Sequence, residues 1–130
     1  KEIPCAIITK LDYDLIKIVY KDNYQVELDD AKMVDATFQE FYTNKPLHVL
    51  MDTKGRYSVF SSEAQRFFTH EAPMTLQNKM AAFAILIDSL PNRLLVKFYL
   101  VFFRPRYPFE IFSKEEDALT FLNALRKKKS

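Results

Sequence analysis

Four side chains have types and positions suited to acid–base chemistry at strand or helix ends: Asp52, Asp88, His48 and His70. Asp88 with Ser89 stands where a parallel strand runs into a helix, the usual ligand position of an open α/β sheet. A turn or a helix cap uses the same two residues. His48 falls inside an apolar run and reads as packed. His70 falls near a helix end, where a cation is favoured. No Ser-His-Asp or paired-carboxylate set emerges from the spacing. Cys5, in a terminal strand, reads as a small core residue rather than a nucleophile. The chain has one Gly. A dinucleotide-binding G-x-G-x-x-G, a Walker phosphate loop and a G-x-S-x-G elbow each need at least two. One Cys excludes an internal disulfide and a Cys-rich zinc site, and two His exclude a His-rich metal cage. The expectation is a non-enzymatic chain with no catalytic residue, no metal and no cofactor.

The elements that position these residues follow from periodicity. Cys5 to Lys10 and Leu15 to Lys21 are β-rich runs, with Ile16, Ile18 and Tyr20 on one face of the second and Leu15, Lys17 and Val19 on the other. Asp12-Tyr13-Asp14 has turn character, so the runs read as an antiparallel hairpin. Asp29 or Asp30 caps a helix to about Tyr42, carried by Ala31, Val34, Phe38 and Phe41. Leu47 to Asp52 is a buried strand leading into the loop that holds Gly55. A second helix opens at Ser61 to Gln65, with Ser62 and Gln65 spaced as a capping box; Ala64, Phe67 and Phe68 form its apolar face, and Pro73 stops it. Met80 to Ile87 is nearly all apolar and suits a central strand covered on both faces. Ser89 caps a third helix from Leu90 to about Phe103, with Pro91 in its first turn. Phe109 to Phe112 is a short strand. Ser113 and Glu116 are spaced as a second capping box, opening a last helix striped by Ala118, Leu119, Leu122 and Leu125. The order ββαβαβαβα implies an α/β fold, its sheet mostly parallel with an antiparallel edge from the N-terminal hairpin.

The 130 residues, 48% hydrophobic and 28% charged, can bury a core and exclude a disordered chain. No linker or repeat divides them, so residues 1–130 read as a single domain. The net charge of +2 is too small to indicate nucleic-acid binding. The Arg126-Lys127-Lys128-Lys129 run reads as a solvated helix end, with cations at the negative pole of the helix dipole. The N-terminus carries no signal-like apolar run. The longest apolar stretch, Leu94 to Phe103, is interrupted by Lys97 and is far shorter than the roughly 20 residues a membrane span needs. A cytoplasmic protein without stable membrane insertion is expected, and a lone thiol fits a reducing compartment.

The string of elements, with particular residues in it, resembles the STAS fold of the bacterial anti-sigma-factor antagonists, the SpoIIAA-like group. The residues that carry the likeness are Leu47 to Asp52 as the Asp-ending strand and Ala82 to Ile87 as the central strand. Arg104 to Ser113, with Glu115-Glu116-Asp117-Ala118-Leu119 and Phe121-Leu122, resembles the terminal proline–phenylalanine strand and capped helix. The resemblance covers nearly the whole chain in element order. It implies a phosphorylatable Asp-Ser-x-Gly at the helix after the Asp-ending strand. Phe60-Ser61-Ser62-Glu63 stands there instead, so Phe replaces the Asp, Glu replaces the Gly and the serines remain. Ser61 is the matching position. Glu63 and Glu71 oppose an added phosphate while the helix N-terminus favours it; helix capping alone also accounts for Ser61 and Ser62.

The apolar third helix is the other candidate. Leu94 to Phe103 is apolar nearly all round, and one helix on a sheet buries a stripe of about 100° or somewhat more. Val96, Tyr99, Leu100 and Phe103 are therefore covered by neighbouring helices or form a homodimer patch, a partner groove or a pocket mouth rimmed by Arg93, Lys97 and Arg104. The expected function is protein interaction or regulation, through Phe60 and Phe67 around Ser61 and Ser62, or through Phe98, Tyr99, Phe102 and Phe103. The alternative is a carrier or sensor of a small apolar ligand held between that helix and the sheet, lined by Phe83, Phe98 and Phe102.

Overall fold

A computed structural model describes residues 1–89 and 106–128. The N-terminal hairpin comprises β2 (Ala6–Asp12) and β3 (Leu15–Tyr20), with a two-residue β1 (Glu2–Ile3) added to the edge of β2. The turn is tighter than the expected Asp12-Tyr13-Asp14, because Asp12 stays in β2 opposite Leu15 through a bulge between Lys10 and Asp12. Then follow β4 (Tyr24–Val26), α1 (Leu28–Phe41), β5 (Leu47–Asp52), β6 (Ser58–Phe60), α2 (Ser62–Arg66), a π-helical turn (Phe67–Glu71) and α3 (Pro73–Leu76). After β7 (Met80–Leu86) come β8 (Phe109–Phe112) and the C-terminal helix, numbered here α4 (Glu115–Lys128). The helix expected from Leu90 to Phe103 lies outside the described residues.

Among the described residues six strands form one sheet in the order β1-β2-β3-β5-β7-β8. The β1–β2 and β2–β3 pairs are antiparallel; β3–β5, β5–β7 and β7–β8 are parallel. This is the mostly parallel α/β sheet with an antiparallel N-terminal edge that the alternation of runs implies. Short β4 and β6 pair in parallel as a separate ribbon. Neither ribbon strand, nor β1, stands out in the sequence: two or three residues are too few to show a period of two.

The two faces of the sheet bury different sets. Ile16, Ile18, Val49 and Ile85 pack on one face with Ala31, Val34 and Phe38 of α1, Ala64 of α2, Phe67 and Met74. Leu15, Leu50, Ala82, Ala84 and Leu86 pack on the other against Ala118 and Leu122 of α4. The alanines of β7 let α4 lie close to the sheet. Because β5 and β7 are covered on both sides, their sequences are apolar runs rather than alternations.

The helix starts differ from the sequence expectation. Glu27, not Asp29 or Asp30, is the N-cap of α1, and Asp30 reaches back to accept from the Glu27 N–H at 3.0 Å. Ser61, not Ser62, caps α2: its N–H donates to the Val26 carbonyl at 3.0 Å, its backbone is extended, and its Oγ accepts from the Ala64 N–H at 3.1 Å. The ribbon holds Ser61 in strand geometry, which is what a cap requires. The Gln65 amide instead donates to the Phe60 carbonyl at 2.8 Å. Pro73 does not simply stop a helix. It occupies the first turn of α3, where its missing N–H costs nothing. The last helix begins at Glu115, so Ser113 lies two residues ahead of it.

Candidate functional site

The carboxyl ends of β5 and β7 and the ribbon form one edge of the molecule. Asp52 ends β5. Its carboxylate lies 3.3 Å from Arg56 Nη2 and 3.8 Å from Lys17 Nζ and accepts from the Lys54 N–H at 3.0 Å. Lys17 also reaches Glu115 at 3.0 Å, tying the start of α4 to this edge. The loop after Asp52 turns at Gly55, whose φ of +72° lies in the left-handed region that favours glycine.

That loop is anchored on both sides. The Gly55 N–H donates to Asp88 Oδ2 at 3.1 Å, just beyond β7. The Tyr57 N–H donates to Asp22 Oδ1 at 2.7 Å, and the Tyr57 carbonyl accepts from the Asn23 N–H at 2.6 Å. Asp88 therefore acts as a loop anchor, and Asp52 is engaged by cations. Thr53 adds a short hydrogen bond from its hydroxyl to the Leu86 carbonyl. These contacts deliver the chain into β6 and place Ser61 directly at the start of α2.

Phe60 stands beneath Ser61. Its ring meets Tyr20 edge-on, with centroids 4.9 Å apart, and Phe68 at 6.3 Å. Phe67 touches Phe68 at 5.9 Å and is itself buried. Phe67 thus belongs to the core rather than to an open surface, while Phe60 and Phe68 are half-buried. The Ser61 side of the molecule is partly covered, and Ser62 and Glu63 are exposed. Two neighbours that periodicity does not single out complete the patch. Tyr57 is 54% exposed and Val59 38% exposed. They alternate with Ser58 and Phe60, a signal readable as a strand only once β4 is known to pair with it.

The other candidates separate from this edge. Phe98, Tyr99, Phe102 and Phe103 lie outside the described residues, as do Arg93, Val96, Lys97, Leu100 and Arg104. Phe83 stacks on Phe109 with centroids 5.1 Å apart and rings 3° from parallel. His48 is buried near the start of β5, its N–H donating to the Asp14 carbonyl at 2.8 Å. His70 is exposed in the last residues of the π-helical turn. Cys5 is fully buried, and burial pushes its thiol up to about 11, so the nucleophilic thiolate is scarce at neutral pH. Arg126 departs from the solvated helix end expected of it: it bonds Asp14 at 2.8 Å and Asp12 at 2.6 Å. Among the described residues no group of three or more His, Cys, Asp or Glu is placed to hold a metal ion. Nor is any described helix long and apolar enough to cross a membrane.

Comparison with solved structures gives the same fold. The chain resembles the anti-sigma factor antagonist SpoIIAA in its unphosphorylated form with a TM-score of 0.56 at 13% identity, over 91% of this chain and 97% of that one. An uncharacterised protein of the DUF3478 family from Shewanella loihica PV-4, described as having a SpoIIAA-like fold, scores 0.55 at 13% identity, over 90% and 91%. The phosphorylated form of SpoIIAA, a Bacillus cell-fate determinant, scores 0.52 at 12% identity, over 90% and 98%. The chain therefore has the STAS, SpoIIAA-like fold. No curated protein sequence matches it. A family described as a domain of unknown function, DUF7793, matches residues 9–126, and the chain belongs to that family.

Proposed function

We propose that residues 1–130 act as one non-enzymatic STAS-like domain that regulates another protein by binding it through the edge formed by Tyr57, Val59, Phe60, Ser61 and Ser62. The observation that supports this reading is the anchored loop. Asp88 and Asp22 hold both sides of it, and it presents two exposed apolar side chains beside a serine that caps a helix. A preformed surface loses little conformational freedom on binding, and apolar side chains ringed by polar ones are the usual core of a contact patch. The similar structures include SpoIIAA in phosphorylated and unphosphorylated forms, which supports a protein partner for this chain too.

Ser61 is the residue through which such binding is switched. Phosphate there would displace the Oγ cap and set a second negative charge two residues from Glu63. The lone, buried thiol supports a cytoplasmic setting.

The test is a comparison of variants in affinity capture from the native host, followed by titration with the captured protein. Val59→Glu should keep the fold and abolish capture. Ser61→Asp should keep the cap, since Asp is as good an N-cap, and weaken partner binding about tenfold. Equal binding by wild type and both variants would refute the assignment. Native mass spectrometry of the same material separates a homodimer from a hetero-complex.

A further inference from the structure

The segment from Ser61 to Pro73 is pinned at both ends. The Ser61 N–H is held by the Val26 carbonyl at 3.0 Å, and its Oγ caps α2. At the other end Pro73 opens α3, and the Met74 N–H is held by the buried Asp35 carboxylate at 3.2 Å. Between the pins lies the π-helical turn, where the Ala72 N–H reaches back five residues to the Phe67 carbonyl at 2.7 Å. A turn closed five residues back holds about one residue more than an α turn. Threonine hydroxyls serve carbonyls in and before it: Thr69 donates to Gln65 at 2.8 Å and Thr75 to Phe68 at 3.2 Å. The pinned segment thus stores one surplus residue.

The sequence doubles the two residues that matter most if that surplus moves. Ser61 is the cap, and Ser62 follows it. Phe67 is the buried aromatic, and Phe68 follows it. When the surplus passes to the N-terminal side, each residue from 62 to 68 takes the place of the one before it. Ser62 becomes the cap, Phe68 enters the place of Phe67, and the π turn closes as an α turn. Phe67 comes to the exposed place of Arg66, one turn from Ser62. One exchange is unfavourable. Gln65 enters the place of the fully buried Ala64 and gives up its bond to the Phe60 carbonyl. That overpacking makes the shifted register the minor state.

We infer that α2 and the π-helical turn form a two-register device that gates the Ser61 edge. In the register described above, Ser61 is engaged as the cap and Phe67 is buried. In the shifted register, Ser61 leaves the cap and is free for modification, and Phe67 joins Tyr57 and Val59 as an exposed apolar side chain. Packed helices hold discrete alternatives of this kind rather than a continuum. What the device controls rests on the reading of that edge as the contact surface; the two registers belong to the free chain.

The test is relaxation-dispersion NMR of the full chain, which reads microsecond-to-millisecond exchange. A minor state of about 0.1–10% is expected across residues 61–71, with Ser62 taking the extended chemical shifts of an N-cap. Gln65→Ala puts an alanine in the Ala64 place in either register and should raise that population about tenfold. Adding Ser62→Ala removes the second cap and should lower it again about fivefold, the usual loss of an N-cap. A helix end merely loosened by Gln65→Ala would exchange equally with or without Ser62. Flat dispersion across residues 61–71 in Gln65→Ala would overturn the proposal, and so would exchange in it that Ser62→Ala leaves unchanged. The readout needs no partner, so its failure is distinct from a failure of capture.

Discussion

Adjacent serines here have different physical roles. Ser61 is in strand geometry and satisfies the Ala64 N–H, whereas Ser62 is the exposed first residue of α2. Ser61→Ala should lower stability by about 1 kcal/mol, the usual loss of an N-cap. Ser62→Ala should change it by less than about 0.5 kcal/mol, as expected of an exposed site. Urea unfolding of the two variants checks the contrast, and equal losses would show that Ser61 does not cap. Cys5 belongs to the same scale. With its thiol raised to about 11 by burial, and further by Asp30, it should resist alkylation in the folded chain and react quickly once urea unfolds it. Labelling in the folded state at the rate of a free thiol would contradict the burial.

Between elements, two carboxylates act as ties. Asp35 of α1 is buried, accepting from the Met74 N–H at 3.2 Å at the start of α3 and from Gln39 at 2.9 Å. Burial raises its pKa, against the opposing pull of the Gln39 and Met74 hydrogen bonds. Between the unfolded value near 3.8 and the higher folded value, the folded state holds the extra proton, so this group's contribution falls as pH rises through that window. Asp35→Asn should remove that dependence and keep the fold. Asp35→Ala should cost about 2 kcal/mol, because the Met74 N–H loses its acceptor. Asp14 is the second tie. Arg126 joins it to the end of α4, so Arg126→Met leaves a buried carboxylate without its cation and should cost about 3 kcal/mol in urea unfolding. A loss below that of an exposed ion pair would mean that the apolar face of α4, with Ala118 and Leu122 at its centre, holds the helix without the Asp14 tie.

For the molecule as a whole, the covering of both sheet faces sets where the fold opens. β5 and β7 lie in the middle of the sheet with buried residues on either side, while β1 and β8 are its described edges. Amide exchange should be slowest in β5 and β7 and fastest in β1, and a protected β1 would contradict that order. Acid acts at the hairpin turn. Asp12 has a pKa lowered by its hydrogen bond from Arg126, then by the Tyr13 N–H, so its contribution is present above the unfolded value of 3.8 and is lost as pH falls through the lower folded one. Asp12→Asn should therefore flatten the acid side of the stability curve, opposite in sign to the effect at Asp35.

Runs long enough to show a period were legible without coordinates. Leu47–Asp52 and Phe109–Phe112 occupy the stretches their composition indicates, and the wholly apolar Met80–Leu86 is the doubly covered strand it reads as. Their order was enough to imply the α/β sheet and its STAS-like arrangement, because hydrophobic patterning is a local property of the chain. Ser61 was legible as a position, but its role as the cap depends on the Val26 carbonyl holding it extended, a contact across 35 positions of chain. Tyr57 and Val59, the partner ribbon strand and the capture of Arg126 by Asp12 and Asp14 were likewise settled by residues far away in sequence. The sequence by itself determined the five longer strands of the sheet, all but β1, and the absence of glycine-rich catalytic loops. The tertiary structure alone decided which serine caps, which charges pair and which apolar side chains stay exposed, because each of these depends on long-range neighbours that no local pattern encodes.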